Sequence, residues 1–171
     1  MQKTFSQIIG LPVVDEMTQT KVAMVYDIIV DPETGKVLAF AVDKNNIIVS
    51  MDVDRLNSAL YISDKEHIIP IDDVLRVKNV REMRIWIIGE KVITRRGKLL
   101  LGTVTDYEID TTQMAIKNIY VAKTFLLFHF SERIISIKDV VKIEKKSITV
   151  KDDKEAVLSE EAKATSRAMA V

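Results

Sequence analysis

The sequence predicts a mainly β protein: two small antiparallel β-barrels in tandem, closed by a short C-terminal helix or tail. Three observations predict it. Apolar residues fall in short, branched runs of strand length, as in "YDIIV" and "KVLAFAV". Turn signals ("DPETG", "KNN", "IDTTQM", "RRGK") recur at roughly ten-residue spacing between them. The chain also repeats itself. A slide of 79 residues sets Ile8, Ile9 and Gly10 on Ile87, Ile88 and Gly89.

That register holds without a gap through the first strands of each copy. Val13 falls on Val92, Val25 on Val104, Asp27 on Asp106, Asp31 on Asp110 and Val42 on Val121. Further on, "HIIPIDDVLRV" from His67 matches "RIISIKDVVKI" from Arg133, with Asp73 on Asp139 and Val74 on Val140. The shift to an offset of 66 implies 13 extra residues in the first copy between Lys44 and Glu66. Within that insertion "MDVDRLNSAL" has room for a helical turn or two. "PIDDVLRV" opens with a short turn that Asp72 or Asp73 can cap. Each copy ends in an alternating segment, "KSITVKD" in the second and the region of "KNVREMRIW" in the first. The predicted units are residues 1–82 and 83–152. Residues 153–171, rich in Ala, Glu and Lys, read as a helix or frayed tail outside the repeat.

Bulk properties narrow the function classes. At 171 residues and 47% apolar, the chain can bury a core in one medium domain or two small ones. It has no cysteine, which excludes disulfides, thiolate metal sites and a cysteine nucleophile. No window approaches the roughly 20 apolar residues of a membrane span, and no leader stands at the N-terminus, so a cytoplasmic protein is expected. Net charge is zero, but residues 1–82 carry −4 and residues 83–152 carry +5. Halves of opposite charge attract one another or divide the partners between them.

The first unit places Asp27, Asp31 and Glu33 within seven positions beside Gly35. A calcium loop needs six to eight oxygens, with carboxylates at alternate positions. The counterpart "IDTTQM" keeps Asp110 but has neither the glutamate nor the glycine. A hairpin turn explains more. Pro32 presets φ, Asp31 can accept from the backbone of Glu33 or Thr34, and Gly35 supplies a positive φ. Asp27 and Asp106 then lie inside strands, where a carboxylate bonding nearby backbone is the simpler reading.

With these segments in order, each copy resembles a PRC-barrel domain. The first shows "IGLPVVD", "AMVYDIIVDPETGKVLAFAV" and "IIPIDDVLRV". The second shows "IGEKVIT", "GTVTDYEIDTTQMAIKNIYV" and "IISIKDVVKI". Ala23 stands where the family has glycine, although its counterpart Gly102 is present. The second copy lacks the hairpin glycine and has Ser136 for the proline. The resemblance implies small antiparallel barrels with no catalytic motif, of the kind found in the cytoplasmic domain of the photosynthetic reaction-centre H subunit. It is also similar to the C-terminal domain of a ribosome-maturation factor. It implies protein docking, with no cofactor, no metal and no catalytic residue to carry over.

A search for chemistry finds no His-x-x-x-His, phosphate loop or nucleophile elbow. His67 and His129 fall at nearly matching places in the repeats, and the packed or interfacial role is the simpler one. Two candidate surfaces remain. Arg95, Arg96 and Lys98, with Lys142, Lys145 and Lys146, could form a basic patch for RNA or a ribosome. Against this stands the reading of a solvated turn plus edge-strand lysines that deter aggregation. Trp86, Phe125, Phe128 and Phe130 are candidate interface aromatics, with Trp86 expected to plug the junction between lobes. The expected function is therefore a non-enzymatic module that docks a protein partner or itself. A ribosome- or RNA-associated factor is the alternative.

Overall fold

The computed structural model describes the backbone of residues 1–125 and 128–152, and their side chains apart from residues 124–131. The expected C-terminal helix or tail, residues 153–171, lies outside the described residues. The first half holds β1 (Gln2–Thr4), α1 (Phe5–Ile8), β2 (Pro12–Asp15), β3 (Thr20–Met24), β4 (Asp27–Val30), β5 (Val37–Ala41), β6 (Asn46–Val49), β7 (Arg55–Leu56), β8 (Leu60–Ile62), β9 (Ile69–Pro70) and α2 (Leu75–Met83). The second holds β10 (Lys91–Thr94), β11 (Leu100–Asp110), β12 (Ala115–Phe125), β13 (Phe128–Ser136), β14 (Val140–Glu144) and β15 (Ser147–Val150). The protein is mainly β, as the sequence predicts. The sheets stay open, however, and do not close into barrels by hydrogen bonds. One runs β13-β12-β11-β10-β15-β14 with β1 added to β11, and the others run β3-β2-β8-β7 and β4-β5-β6-β9. No helix among the described residues is long and apolar enough to cross a membrane.

The strand pairings correct the internal alignment. β2 pairs in parallel with β8, setting Val13 on Leu60, as β10 does with β15, setting Val92 on Ile148. Ala39 pairs with Val49, and Asn118, which aligns with Ala39, pairs with Ser136. The segment topologically equivalent to "IISIKDV" is therefore "IIVSMDV" at residues 47–53, at an offset of 87, and not "IIPIDDV". The expected insertion between Lys44 and Glu66 is not there; the extra length sits in the longer β12–β13 hairpin of the second half. The error has a structural cause. Val49, Pro70 and Ser136 share one backbone conformation (φ/ψ −66/140, −60/140 and −66/141), and each leads into a 3-10 turn. The same strand-to-turn device occurs three times, twice in the first half, and sequence similarity picked the wrong one of the two.

Residues 65–86 are the connection between halves. The segment near "KNVREMRIW", expected to alternate as a strand, is mostly helix α2, and the boundary expected at residues 82 and 83 falls within it. Val77 and Val80, one helical turn apart, are buried with Ile29, Ala39, Ala41 and Ile47 in a small second core. Burying each valine contributes about 1.5 kcal/mol or more. This explains why "KVLAFAV" is apolar on both faces. α2 covers one of these faces; at the equivalent place in the second half Asn118 donates to Glu108 (2.7 Å) and Ile134 is exposed. Helix α1, by contrast, opens with a capping box that "TFSQ" encodes: Thr4 accepts from the Gln7 N–H (3.3 Å), and Gln7 Oε1 accepts from the Thr4 N–H (3.1 Å).

The two halves share the main core, which runs from Ile8, Phe40 and Leu60 to Ile119, Ile148 and Val150. They meet about a local pseudo-twofold axis. Val37 N–H donates to Met114 O (2.8 Å), and Ile116 N–H donates to Gly35 O (2.9 Å), so Lys36 pairs with its own aligned counterpart, Ala115. The leading segment of the first half crosses this axis: β1 pairs with β11 of the second half. At the hairpin where the second copy has no glycine, Met114 takes the left-handed position itself (φ +47) against +70 for Gly35.

Candidate functional site

Two of the sequence-derived sites change on folding. The acidic loop is a turn tied to a cation of the chain itself. Asp31 is buried, and its carboxylate accepts from Glu33 N–H (2.9 Å) and Arg76 Nη2 (2.8 Å), while its carbonyl accepts from Gly35 N–H (2.8 Å). Arg76 also reaches Glu33 (3.1 Å). Burial alone pushes the Asp31 carboxyl up and is the largest effect. The Arg76, Glu33 and Thr34 hydrogen bonds and the Arg76 charge together outweigh it and hold the group below its ordinary value. Arg76 was not identified from the sequence, because it stands 45 positions away and only α2 brings it to the turn.

The basic residues are divided between two turns, with Lys142 on β14 opposite Thr149. Arg95, Arg96 and Lys98 lie in the β10–β11 turn at the C-terminal end of β15, where Arg95 N–H donates to Val150 O (2.9 Å). Lys145 and Lys146 lie in the β14–β15 turn at the opposite end of that strand. Parallel pairing of β10 with β15 keeps the two turns apart by the length of the strand. Two of the cations are also compensated: Lys142 pairs with Glu144 (2.6 Å) and Arg96 with Asp152 (3.6 Å). The side chains of Phe125, Phe128, Phe130 and His129 lie outside the described residues. His67 ends a 3-10 turn in the connection, Nδ1 3.0 Å from Asp64 O.

Trp86 stands at the junction, as expected, but it is no plug: it is 53% exposed. It lines a cleft of about 180 Å³ with Phe5, Asp27, Ile85, Ile87 and Tyr107. Residues from both halves build it. α1 delivers Phe5, whose ring lies 5.2 Å from that of the buried Tyr107 on β11. The connection after α2 delivers Ile85 and Trp86, and β4 delivers Asp27. Sequence reasoning identified Trp86 and Asp27 separately but not the cleft, because Phe5 and Tyr107 are about 100 positions apart. The one signal in the sequence was Asp27 itself, an acid within an apolar strand.

The carboxylates at this strand position differ between halves. Asp106 accepts from Ser6 Oγ (2.6 Å), Ser6 N–H (3.2 Å) and Tyr107 N–H (2.8 Å). Among the described residues Asp27 accepts from Ile28 N–H alone (2.8 Å), with Ile85 standing at the position aligned with Ser6. Among the described residues its second oxygen accepts nothing. Burial pushes the Asp27 carboxyl above its ordinary value, against the Ile28 hydrogen bond and the Arg81 charge. Arg81 attracts it from α2 without forming an ion pair. Burial likewise raises the Tyr107 hydroxyl well above its usual value, with the charges of Asp27 and Asp106 adding to the effect. Since the native Asp27 pKa is raised, the contribution of this group to stability is fully present below the unfolded carboxyl range and is lost as pH rises through the native value. Asp27→Asn should therefore be at least as stable as the parent at neutral pH. It should also flatten that decline, as thermal melts between about pH 4 and 8 would reveal; a large loss at pH 7 would contradict it.

The PRC-barrel domain model matches residues 1–84. A search of curated proteins finds no match to the chain.

Proposed function

We propose, from the premise that residues 1–84 are a PRC-barrel domain, that this chain is a non-enzymatic docking module whose binding site is the cleft between its halves. The observation that carries this reading is Trp86. A half-exposed indole over an apolar cleft leaves large apolar area in water that a partner would cover, and tryptophan is among the residues that dominate binding energy at interfaces. We infer also that residues 87–152 are a second unit of the same kind. The support is the equivalent strand order and registers of the two halves.

RNA or ribosome attachment through the second half has weaker support, since the six candidate basic residues are divided between two turns and a strand and two are paired with acids. Affinity capture with the full chain compares the readings. Trp86→Glu should lose the captured protein set, while Arg95→Glu/Arg96→Glu/Lys98→Glu should retain it. Capture unchanged in the tryptophan variant, or nucleic acid lost in the triple variant, would refute the docking reading.

A further inference from the structure

Within the proposed cleft, Asp27 has what its counterpart lacks: an oxygen left over. In the second half a serine hydroxyl and amide fill the place that Ile85 leaves without a donor. The carboxylate is half-buried among apolar atoms, where an unpaired charge costs free energy and a supplied donor recovers it. The walls around it are apolar, aliphatic side chains together with Phe5, Tyr107 and the half-exposed indole of Trp86. Rings plus one carboxylate are the surroundings that favour a cation, and a planar guanidinium more than an ammonium, since it stacks on ring faces while forking onto an acid. The fold uses this chemistry once already: the Arg55 guanidinium lies 3.8 Å over the Tyr61 ring while bonding Glu16 (2.7 Å). A cleft of about 180 Å³ accepts one such side chain and little more.

We propose that the cleft between the halves receives an arginine side chain of a partner protein, its guanidinium bonded to the free oxygen of Asp27 and stacked against Trp86. This rests on the docking reading above and names the partner's chemistry at the same site. Arg81 is the internal competitor. It sits near enough to attract Asp27, but it makes no bond to it, and its buried Nη1 has no partner among the described residues.

Trp86 is the only tryptophan, so its fluorescence reports on the cleft directly. The full-length chain is titrated with the capped tripeptide Gly-Arg-Gly, and with the same peptide carrying citrulline, a neutral isostere. A saturable change in Trp86 emission is expected with the arginine peptide, and binding about tenfold weaker or worse for citrulline and for Asp27→Asn, equivalent to about 1.4 kcal/mol. Equal response to both peptides, no response, or full affinity in Asp27→Asn would overturn the proposal. An Arg167→Gln substitution that alone shifts Trp86 emission would identify the chain's own arginine as the occupant and overturn the assignment to a partner. The two readings fail separately. If no arginine effect appears but Trp86→Glu still abolishes capture, the docking reading stands and the arginine falls. If capture also survives Trp86→Glu, both fall.

Discussion

Gly102→Ala should destabilise the protein by about 4 kcal/mol, more than any surface change considered above. Gly102 has φ +148, and a Cβ there would stand 2.4 Å from the Ala122 carbonyl oxygen and 3.0 Å from Val121 Cγ1. The oxygen belongs to the backbone of β12, paired along its length with β11, so it cannot swing aside as a side-chain tip could. The same alanine is harmless at the aligned position in the first half. There, among the described residues, β3 pairs only with β2, and the strand corresponding to β12 runs with β4 instead of alongside Ala23. Urea denaturation of Gly102→Ala and of Ala23→Gly would compare the sites. The first should lower the midpoint severely and the second by less than about 1 kcal/mol. A Gly102→Ala variant within about 0.5 kcal/mol of the parent would mean that β12 does not approach so closely.

The second large effect is expected at Asp31. Asp31→Ala should cost about 2 kcal/mol at neutral pH, because it removes the acceptor for a backbone amide in a buried turn and unpairs Arg76. Arg76→Gln should cost less, since that guanidinium is nearly half exposed and water screens it. The pH dependence carries the sign. The native Asp31 carboxyl titrates below its ordinary value, so its stabilisation is complete above the unfolded carboxyl range, about pH 3.9, and is lost as pH falls through the lower native value. The gap between parent and Asp31→Ala should shrink on acidification. Denaturation curves at about pH 7 and about pH 3 would show it; a gap that widens at low pH would rule out the charge-assisted turn.

Much of the turn chemistry was legible in the chain. Pro32, Asp31 and Gly35 imply a hairpin by their own backbone preferences, and the hairpin is there. The cleft was legible only in pieces. Asp27 and Trp86 each stood out, but a cleft is a statement about distance between strangers in sequence, and no local preference encodes that Phe5 crosses to Tyr107. The place of the basic residues was likewise not legible: Arg95, Arg96 and Lys98 stand more than 40 positions from Lys142, Lys145 and Lys146, and only the pairing of β15 shows that the two turns lie at opposite ends of one strand.

By itself the sequence determined the class and the strands. Side-chain branching and turn residues act over a few positions, and aligned positions such as Ile8 and Ile87, or Gly10 and Gly89, carry the same local demands twice. Only the tertiary structure decided which of two similar strand-to-turn segments completes the first unit, why Gly102 is needed and Ala23 is not, and which carboxylate is left with an oxygen to spare. Those depend on what the other half places a few ångströms away, and packing between distant segments leaves no periodic trace in the chain.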